Sequence, residues 1–158
     1  MPLIEVQTEI TADLKTCFDL ARDIDFYQKS LKNSAEIAVF GKITGLVELN
    51  DSITWEAKHL GFVNHLTLKV TEFDSPNLFV DEMIQGNFKA YKHEHIFIER
   101  NKTIMIDRFY FESPYGFIGK FIDWLFMKKY MTNFLKRRNE ALKIMAEKIQ
   151  NNHGVIKQ

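Results

Sequence analysis

Cysteine, proline and glycine are scarce in this chain of 158 residues, which contains one, three and seven of them. The single cysteine, Cys17, excludes an internal disulfide and suits a reducing compartment, so we expect a cytoplasmic protein. No linker, internal repeat or low-complexity segment divides the sequence. Its length suits one domain with a real core. We expect that domain to span residues 1–150, followed by a flexible tail over residues 151–158.

An excess of charge of either sign is also missing, since 21 basic residues balance 21 acidic ones. No global field therefore attracts nucleic acid or an anionic membrane, and no nucleic-acid-binding motif is present. No apolar run reaches the roughly 18 residues of a membrane span. The first residues lack the basic and apolar regions of a signal peptide. We expect no nucleic-acid partner, no membrane span, and a monomer or weak homodimer.

Aromatic residues, by contrast, are abundant. They make up 13% of the chain, and 14 residues are phenylalanines. Such a load suits a protein that lines a cavity with apolar side chains as well as packing a core.

The hydrophobic pattern predicts one order of elements. A loosely alternating strand over residues 3–10 is followed by Thr11 as the expected N-cap of a helix, and by Asp23 or Asp25 as the cap of a second short helix. A long helical pattern runs from about residue 117 to about residue 150. Between these helices, short breaks make neighbouring strands antiparallel. The six strands predicted there cover residues 35–40, 52–59, 62–73, 78–85, 88–98 and 103–112.

The long helix and the sheet each need the other. A helix of this length is not stable by propensity alone and must cover a surface, while an antiparallel sheet with one apolar face needs a cover. The economical arrangement is a curved antiparallel sheet wrapped around the C-terminal helix, with Phe121 and Leu125 pointing inward. The predicted class is therefore α+β, with two short helices after the first strand.

Several motifs carry a resemblance to a known family. They are FVDEM at 79–83, GNF at 86–88, HEHIF at 93–97, Thr103 with Asp107, and SPYG at 113–116. In order and spacing they resemble the START, birch-allergen and polyketide-cyclase (SRPBCC) superfamily, in particular its bacterial cyclase/dehydrase-like or cell-division inhibitor-like branch. The resemblance implies the helix-grip fold and a cavity between sheet and helix. It supplies no universal catalytic residue, because that superfamily includes lipid carriers, hormone receptors, cyclases and partner-binding modules.

The hairpin of the last two strands decides where the histidines point. A three-residue turn over residues 100–102 pairs His95 with Asp107 and His93 with Phe109. It also places Glu94 opposite Arg108 on the other face, where opposite charges suit solvent. A two-residue turn would remove the pairing of His95 with Asp107. We favour the first register, although it leaves isoleucines 96, 98, 104 and 106 on the outer face.

A tight turn at residues 60–61 completes the predicted wall of the cavity by pairing Trp55 with Leu66. The inferred cavity is apolar and aromatic, with a few polar groups, as is usual for a small-molecule pocket. Its predicted ligand-binding residues are Trp55, His59, Asn64, Leu66, Glu82, Tyr91, His93, His95, Phe97, Asp107, Phe109, Phe121 and Leu125.

Three interpretations of the polar residues stay open. His93 and His95 share a strand face and could bind a metal, but the sequence places no third ligand, so we expect no metal and no cofactor. His93 or His95 with Asp107 could form an acid/base pair, although such a pair more often satisfies two buried polar groups. Arg138 is expected to lie at the surface of the long helix.

The predicted function is binding of a hydrophobic or aromatic small molecule, such as a lipid, without turnover. The first alternative is a cyclase- or dehydratase-type enzyme that uses His93, His95 and Asp107 as catalytic candidates. The second alternative is a protein-interaction module that uses the outer isoleucines.

Overall fold

The computed structural model describes residues 3–31, 36–59, 61–114, 116, 121 and 123–155. The first strand is followed by two short helices, six further strands and a long C-terminal helix, which confirms the predicted α+β order. The strands are β1 (Leu3–Ile10), β2 (Ile37–Gly41), β3 (Ser52–His59), β4 (Phe62–Asp74), β5 (Leu78–Gln85), β6 (Ala90–Glu99) and β7 (Thr103–Glu112). The helices are α1 (Leu14–Ala21), α2 (Ile24–Ser30) and α3 (Lys128–Val155), with a π-helical turn over Asp123–Met127 before α3.

The seven strands form one antiparallel sheet in the order β1-β7-β6-β5-β4-β3-β2. Sequence neighbours from β2 to β7 pair directly because their connections are short, and β1 closes the far edge beside β7. Both predicted registers are confirmed: His95 lies opposite Asp107, and Trp55 lies opposite Leu66. The turn between β3 and β4 contains Gly61, whose φ of +84° favours glycine.

The two short helices begin at aspartates. The Asp13 carboxylate accepts a hydrogen bond from the backbone N–H of Thr16 at 2.9 Å, so Asp13, and not the predicted Thr11, is the N-cap of α1. Asp23 caps α2 by accepting from Phe26, as one of the two predicted alternatives. Both caps satisfy backbone donors that the first turn of a helix leaves unpaired.

One part of the core lies under α1. Phe18 is fully buried, and its ring meets the rings of Phe73, Phe79 and Phe97 in edge-on contacts with centroids 5.4–5.7 Å apart. Edge-to-face geometry suits the charge distribution of aromatic rings. These contacts attach α1 to one end of the sheet and leave the middle of the sheet for other elements.

The long helix packs on the same face of the sheet. A second core cluster joins Leu135 of α3 to Ile4, Val6, Phe109 and Phe111 of the two adjacent strands β1 and β7. This is the expected helix-grip layout, in which the helix covers the apolar face of the sheet. The buried positions of α3 follow the helical period and are Phe134, Leu135, Arg138, Asn139, Leu142 and Ala146.

Two predictions about the long helix need correction. Phe121 and Leu125 were expected to point inward, but they are 62% and 52% exposed. Leu125 lies in the π-helical turn before α3, and this wider turn departs from the regular helical period on which its predicted direction rests. The helix also continues to Val155, past the predicted end at residue 150. The predicted start at residue 117 lies outside the described residues. None of the described helices is long and apolar enough to cross a membrane.

Candidate functional site

A cavity of about 750 Å³ lies between the sheet and the helices α2 and α3. This volume falls within the range of small-molecule sites and far exceeds the voids of an ordinary core. Its wall is mostly apolar and includes Leu66, Leu68, Phe79, Phe109 and Phe134. The cavity is therefore a feature that packing alone does not require.

Two histidines and two carboxylates meet in a crossed arrangement at the sheet side of the cavity. Asp81 lies opposite His93 in the register of β5 and β6, but its carboxylate contacts His95, with Nε2 and Oδ2 2.8 Å apart. Asp107 lies opposite His95, but its closest histidine is His93, with Nε2 and Oδ1 2.8 Å apart. Both imidazoles thus reach diagonal neighbours, which long side chains on a sheet face can do.

His95 retains one unsatisfied atom. Its Nδ1 lies 3.3 Å from Oδ1 of Asp107, but that contact does not have hydrogen-bond geometry, and Nδ1 is buried without a hydrogen-bond partner. Such atoms are rare in native structures and call for an explanation.

The long helix supplies a cation to the same cluster. Arg138 is buried, lines the cavity, and donates a hydrogen bond from Nη2 to Oδ1 of Asp107. Asn139 donates to the other carboxylate oxygen at 2.6 Å and lies 3.3 Å from the hydroxyl of Thr8. Asp107 thereby joins β7 to α3 through two consecutive helix residues. The prediction that Arg138 lies at the surface is wrong.

The cluster changes the acidity of its members. Burial raises the pKa of Asp107, but the charge of Arg138 and the two histidines outweigh it and hold the pKa well below its usual value. Burial, reinforced by His95, lowers the pKa of His93 to about 4. Burial also lowers the pKa of His95, but the carboxylates of Asp107 and Asp81 outweigh that effect and the pKa is raised. At neutral pH the cluster therefore contains two carboxylates, one guanidinium and a neutral His93.

A second polar pair, Tyr27 with Glu36, also lines the cavity. Tyr27 of α2 donates a hydrogen bond to the Glu36 carboxylate, and its ring lies 4.8 Å from the ring of Trp55. Tyr27, Glu36 and Trp55 all line the cavity. Burial raises the pKa of Tyr27 well above its usual value, and Glu36 raises it further, so the phenol stays neutral.

The exposed members of the cavity lining mark its mouth. Phe62 and Phe126 are 73% and 54% exposed, and Lys58, His65 and Asn87 are also exposed members of the lining. The mouth therefore combines two aromatic rings with polar side chains.

The structure brings most of the predicted site residues to the cavity. Its lining includes Trp55, Asn64, Leu66, Tyr91, His93, His95 and Phe109. The side chain of His59 lies outside the described residues. Whether the lining residues bind a ligand stays a prediction.

Five predicted positions do not line the cavity. Phe97 packs in the core against Phe18, and Asp107 lies behind the histidines, fully buried. Glu82 is one residue out of phase: Asp81 faces the cavity in its place, because side chains alternate along a strand. Phe121 and Leu125 are exposed, as described above.

Sequence reasoning missed Asp81 and Arg138. Arg138 lies four residues after Phe134 and four before Leu142, both buried, so the helical period placed it on the inner face. For Asp81 the signal was weaker, because Phe79 and Val80 are both buried and the pattern does not show which face of β5 is inside.

Comparisons with known proteins support the fold. No family model and no curated protein matches the sequence. Among solved structures, TTHA0849 from Thermus thermophilus is 20% identical, with a TM-score of 0.68 and coverage of 89% of this chain and 97% of that one. A START superfamily protein from Mycobacterium smegmatis is 13% identical, with a TM-score of 0.69 and coverage of 93% and 98%.

A plant protein has a similar structure. Major latex-like protein 151 from Panax ginseng is 10% identical, has a TM-score of 0.69, and is covered over 97% of its length by 92% of this chain. Identities this low establish a shared fold and not a shared activity. The comparisons therefore show that the chain shares its helix-grip fold with a START superfamily protein and a major latex-like protein.

Proposed function

We propose that this protein binds one hydrophobic or aromatic small molecule in the cavity, without changing it chemically. The cavity of about 750 Å³ carries the proposal. Binding sites typically combine a large apolar wall with a few convergent polar groups. Here the polar groups are His93, His95 and Arg138 together with the pair Tyr27 and Glu36.

The lining suggests what kind of molecule fits. Most of the wall offers only dispersion contacts and removal of apolar surface from water. A ligand with an apolar body and a single polar group would therefore satisfy it best. That group would meet Arg138 or the histidines, since burying it unpaired would cost binding energy.

Two features favour binding over turnover. Asp107 already accepts hydrogen bonds from Arg138 and Asn139 and contacts His93. Its carboxylate oxygens are therefore occupied within the cluster. Cys17, the single thiol of the chain, is buried on the inner face of α1 and does not line the cavity. A cytoplasmic location and a monomeric or weakly dimeric state remain part of the proposal.

Native mass spectrometry of the purified protein tests the proposal. We expect a population heavier than the bare chain by the mass of one small molecule, which extraction into solvent recovers unchanged. The delipidated protein should then bind the uncharged probe N-phenyl-1-naphthylamine with a stoichiometry of one. In a Trp124→Phe background, Trp55 becomes the single tryptophan, and its emission should change on binding. Absence of both a retained molecule and probe binding would refute the proposal.

An enzyme of cyclase or dehydratase type is the second candidate, and the position of His95 favours it. This histidine lines the cavity between two carboxylates that raise its pKa, as a general acid/base would require. Recovery of a chemically altered ligand from the wild-type protein, but an unaltered one from an Asp81→Asn variant that still binds it, would establish this candidate over simple binding.

A further inference from the structure

We propose that Asp81, His93 and His95 form a binding site for one divalent transition-metal ion in the wall of the cavity. Each residue offers one ligand atom, a ring nitrogen or a carboxylate oxygen, and these atoms lie within 4.8 Å of one another. In a tetrahedral centre with bonds of about 2.0–2.2 Å, ligand atoms are separated by about 3.3–3.6 Å. The three side chains therefore already converge to nearly the required spacing.

The sheet explains this convergence. His93 and His95 alternate along β6 and so share its inner face. Asp81 is the direct partner of His93 on the neighbouring strand β5. Three ligands from two paired strands are held by a hydrogen-bonded ladder, which makes the site rigid without help from a loop.

Two further contacts fit a metal site. Nε2 of His95 already lies 2.8 Å from Oδ2 of Asp81, so this nitrogen would bind the ion and leave Nδ1, which has no hydrogen-bond partner, 3.3 Å from Asp107. His93 has the Asp107 carboxylate 2.8 Å from its Nε2. Metal-bound histidines commonly use their second nitrogen for such a carboxylate, which orients the ring. Asp107 would thus support the site from behind.

The charge of Arg138 is the main electrostatic objection to a cation here. Its guanidinium, however, is hydrogen-bonded to Asp107, and this pair has no net charge. The remaining ligand set keeps the negative charge of Asp81 and two imidazoles. A divalent ion would displace any second proton from His95, so it would meet the carboxylate of Asp81 and two neutral imidazoles, and not an excess of positive charge.

The donor set indicates the class of metal. Two imidazoles and one carboxylate suit zinc and divalent iron, cobalt or nickel, whereas calcium and magnesium prefer sites built from oxygen atoms. Three protein ligands leave at least one coordination position open. Because Asp81, His93 and His95 all line the cavity, that position would be accessible to a molecule bound in it.

Titration of the untagged, metal-free protein with zinc chloride in a calorimeter tests the site without any organic ligand. We expect one zinc ion per chain in the wild type. Asp81→Asn should weaken binding more than about tenfold, because loss of a supporting residue alone typically costs about 10–100-fold. Glu82→Gln is the matched control: it removes the same charge one residue away, outside the cavity lining, and should leave the affinity unchanged.

A second measurement on the wild type covers the case in which Asp81→Asn does not fold. Crystals soaked in zinc chloride should show an anomalous peak within bonding distance of Asp81, His93 and His95. The exposed His65, which lies 2.9 Å from Glu56, is a competing surface site, and His65→Gln should keep the zinc ion. Zinc binding abolished by His65→Gln, equal affinities for Asp81→Asn and Glu82→Gln, or no peak at the cavity wall would each overturn the proposal.

Discussion

Asp107 is the residue on which the buried cluster depends. Its carboxylate is fully buried and contacts two histidines, a guanidinium and an amide. Removing an ionised carboxylate from water costs several kcal/mol, which only good geometry and further hydrogen bonds can offset. The cluster supplies both, so removing one partner should cost more than removing the charged pair together.

Asp107→Asn tests this asymmetry. The substitution leaves the Arg138 charge buried without its carboxylate, and we expect a loss of about 3–5 kcal/mol in the free energy of unfolding, as for other broken buried pairs. Urea unfolding followed by circular dichroism measures the loss.

The double variant Asp107→Asn with Arg138→Met provides the control. It removes the charge that was left unpaired, so it should be more stable than Asp107→Asn alone. Arg138→Met is measured alone as well. If the stability loss of the double variant equals the sum of the losses of the two single variants, Asp107 and Arg138 are not energetically coupled.

Cys17 gives a prediction about pH. Burial raises the pKa of its thiol to about 11, against about 8.5 in an unfolded chain. The folded state therefore disfavours the thiolate, and its contribution to stability is lost as the pH rises from about 8.5 toward 11. Cys17→Ala should show a smaller fall in unfolding free energy over this window than the wild type. Equal falls in the two proteins would contradict the raised pKa.

At the scale of elements, the sequence was most informative where side chains alternate clearly. The β6–β7 register follows from the pairing of Glu94 with Arg108 outside and His95 with Asp107 inside, and a slip of one residue would reverse every side chain. The β3–β4 register follows in the same way from Trp55 opposite Leu66.

Elements with weaker alternation misled the sequence reasoning. In β5, Phe79 and Val80 are both buried, and the pairing with β4 is irregular between Val70 and Glu72. Two consecutive buried residues do not show which face of β5 points inward, so the sequence pattern does not separate Asp81 from Glu82. The contact between Asp107 and Arg138 spans 31 residues of sequence and depends on how a helix docks on a sheet, which no local pattern specifies.

The N-cap of α1 supports a prediction at this scale. Asp13 accepts hydrogen bonds from both the backbone and the hydroxyl of Thr16. Asp13→Ala should lower the free energy of unfolding by about 1 kcal/mol, whereas Asp13→Asn should stay close to the wild type because asparagine caps nearly as well. Urea unfolding of both variants measures the difference. Equal losses would show that the charge and not the cap is what stabilises the helix.

At the scale of the whole molecule, the cavity is a cost to stability. A core of this size would normally pack at the density of an organic crystal, and an unfilled volume forfeits dispersion contacts along its lining. A chain that keeps about 750 Å³ open between sheet and helix gives up stability. Natural proteins accept such a loss chiefly where function needs the space.

Ala57→Phe tests whether the space serves binding. Ala57 is buried on β3 and lines the cavity, so a phenyl ring there would occupy part of the space. We expect the unfolding free energy to stay level or rise by about 0.5–2 kcal/mol, as cavity-filling substitutions commonly give. The affinity for N-phenyl-1-naphthylamine should fall at least tenfold, and the probe should no longer raise the melting temperature as it does for a binding-competent protein.

Val39→Phe is the matched control, because it adds an aromatic ring to the exposed edge strand β2, outside the cavity. Its probe affinity should equal that of the wild type. Comparing the two variants shows whether the loss of probe binding comes from filling the cavity or from adding an aromatic ring anywhere on the protein. A gain of stability with loss of binding in Ala57→Phe alone means that the volume is held open for a ligand. Unchanged probe affinity in a stably folded Ala57→Phe variant would mean that the probe binds elsewhere. The cavity would then not be the binding site.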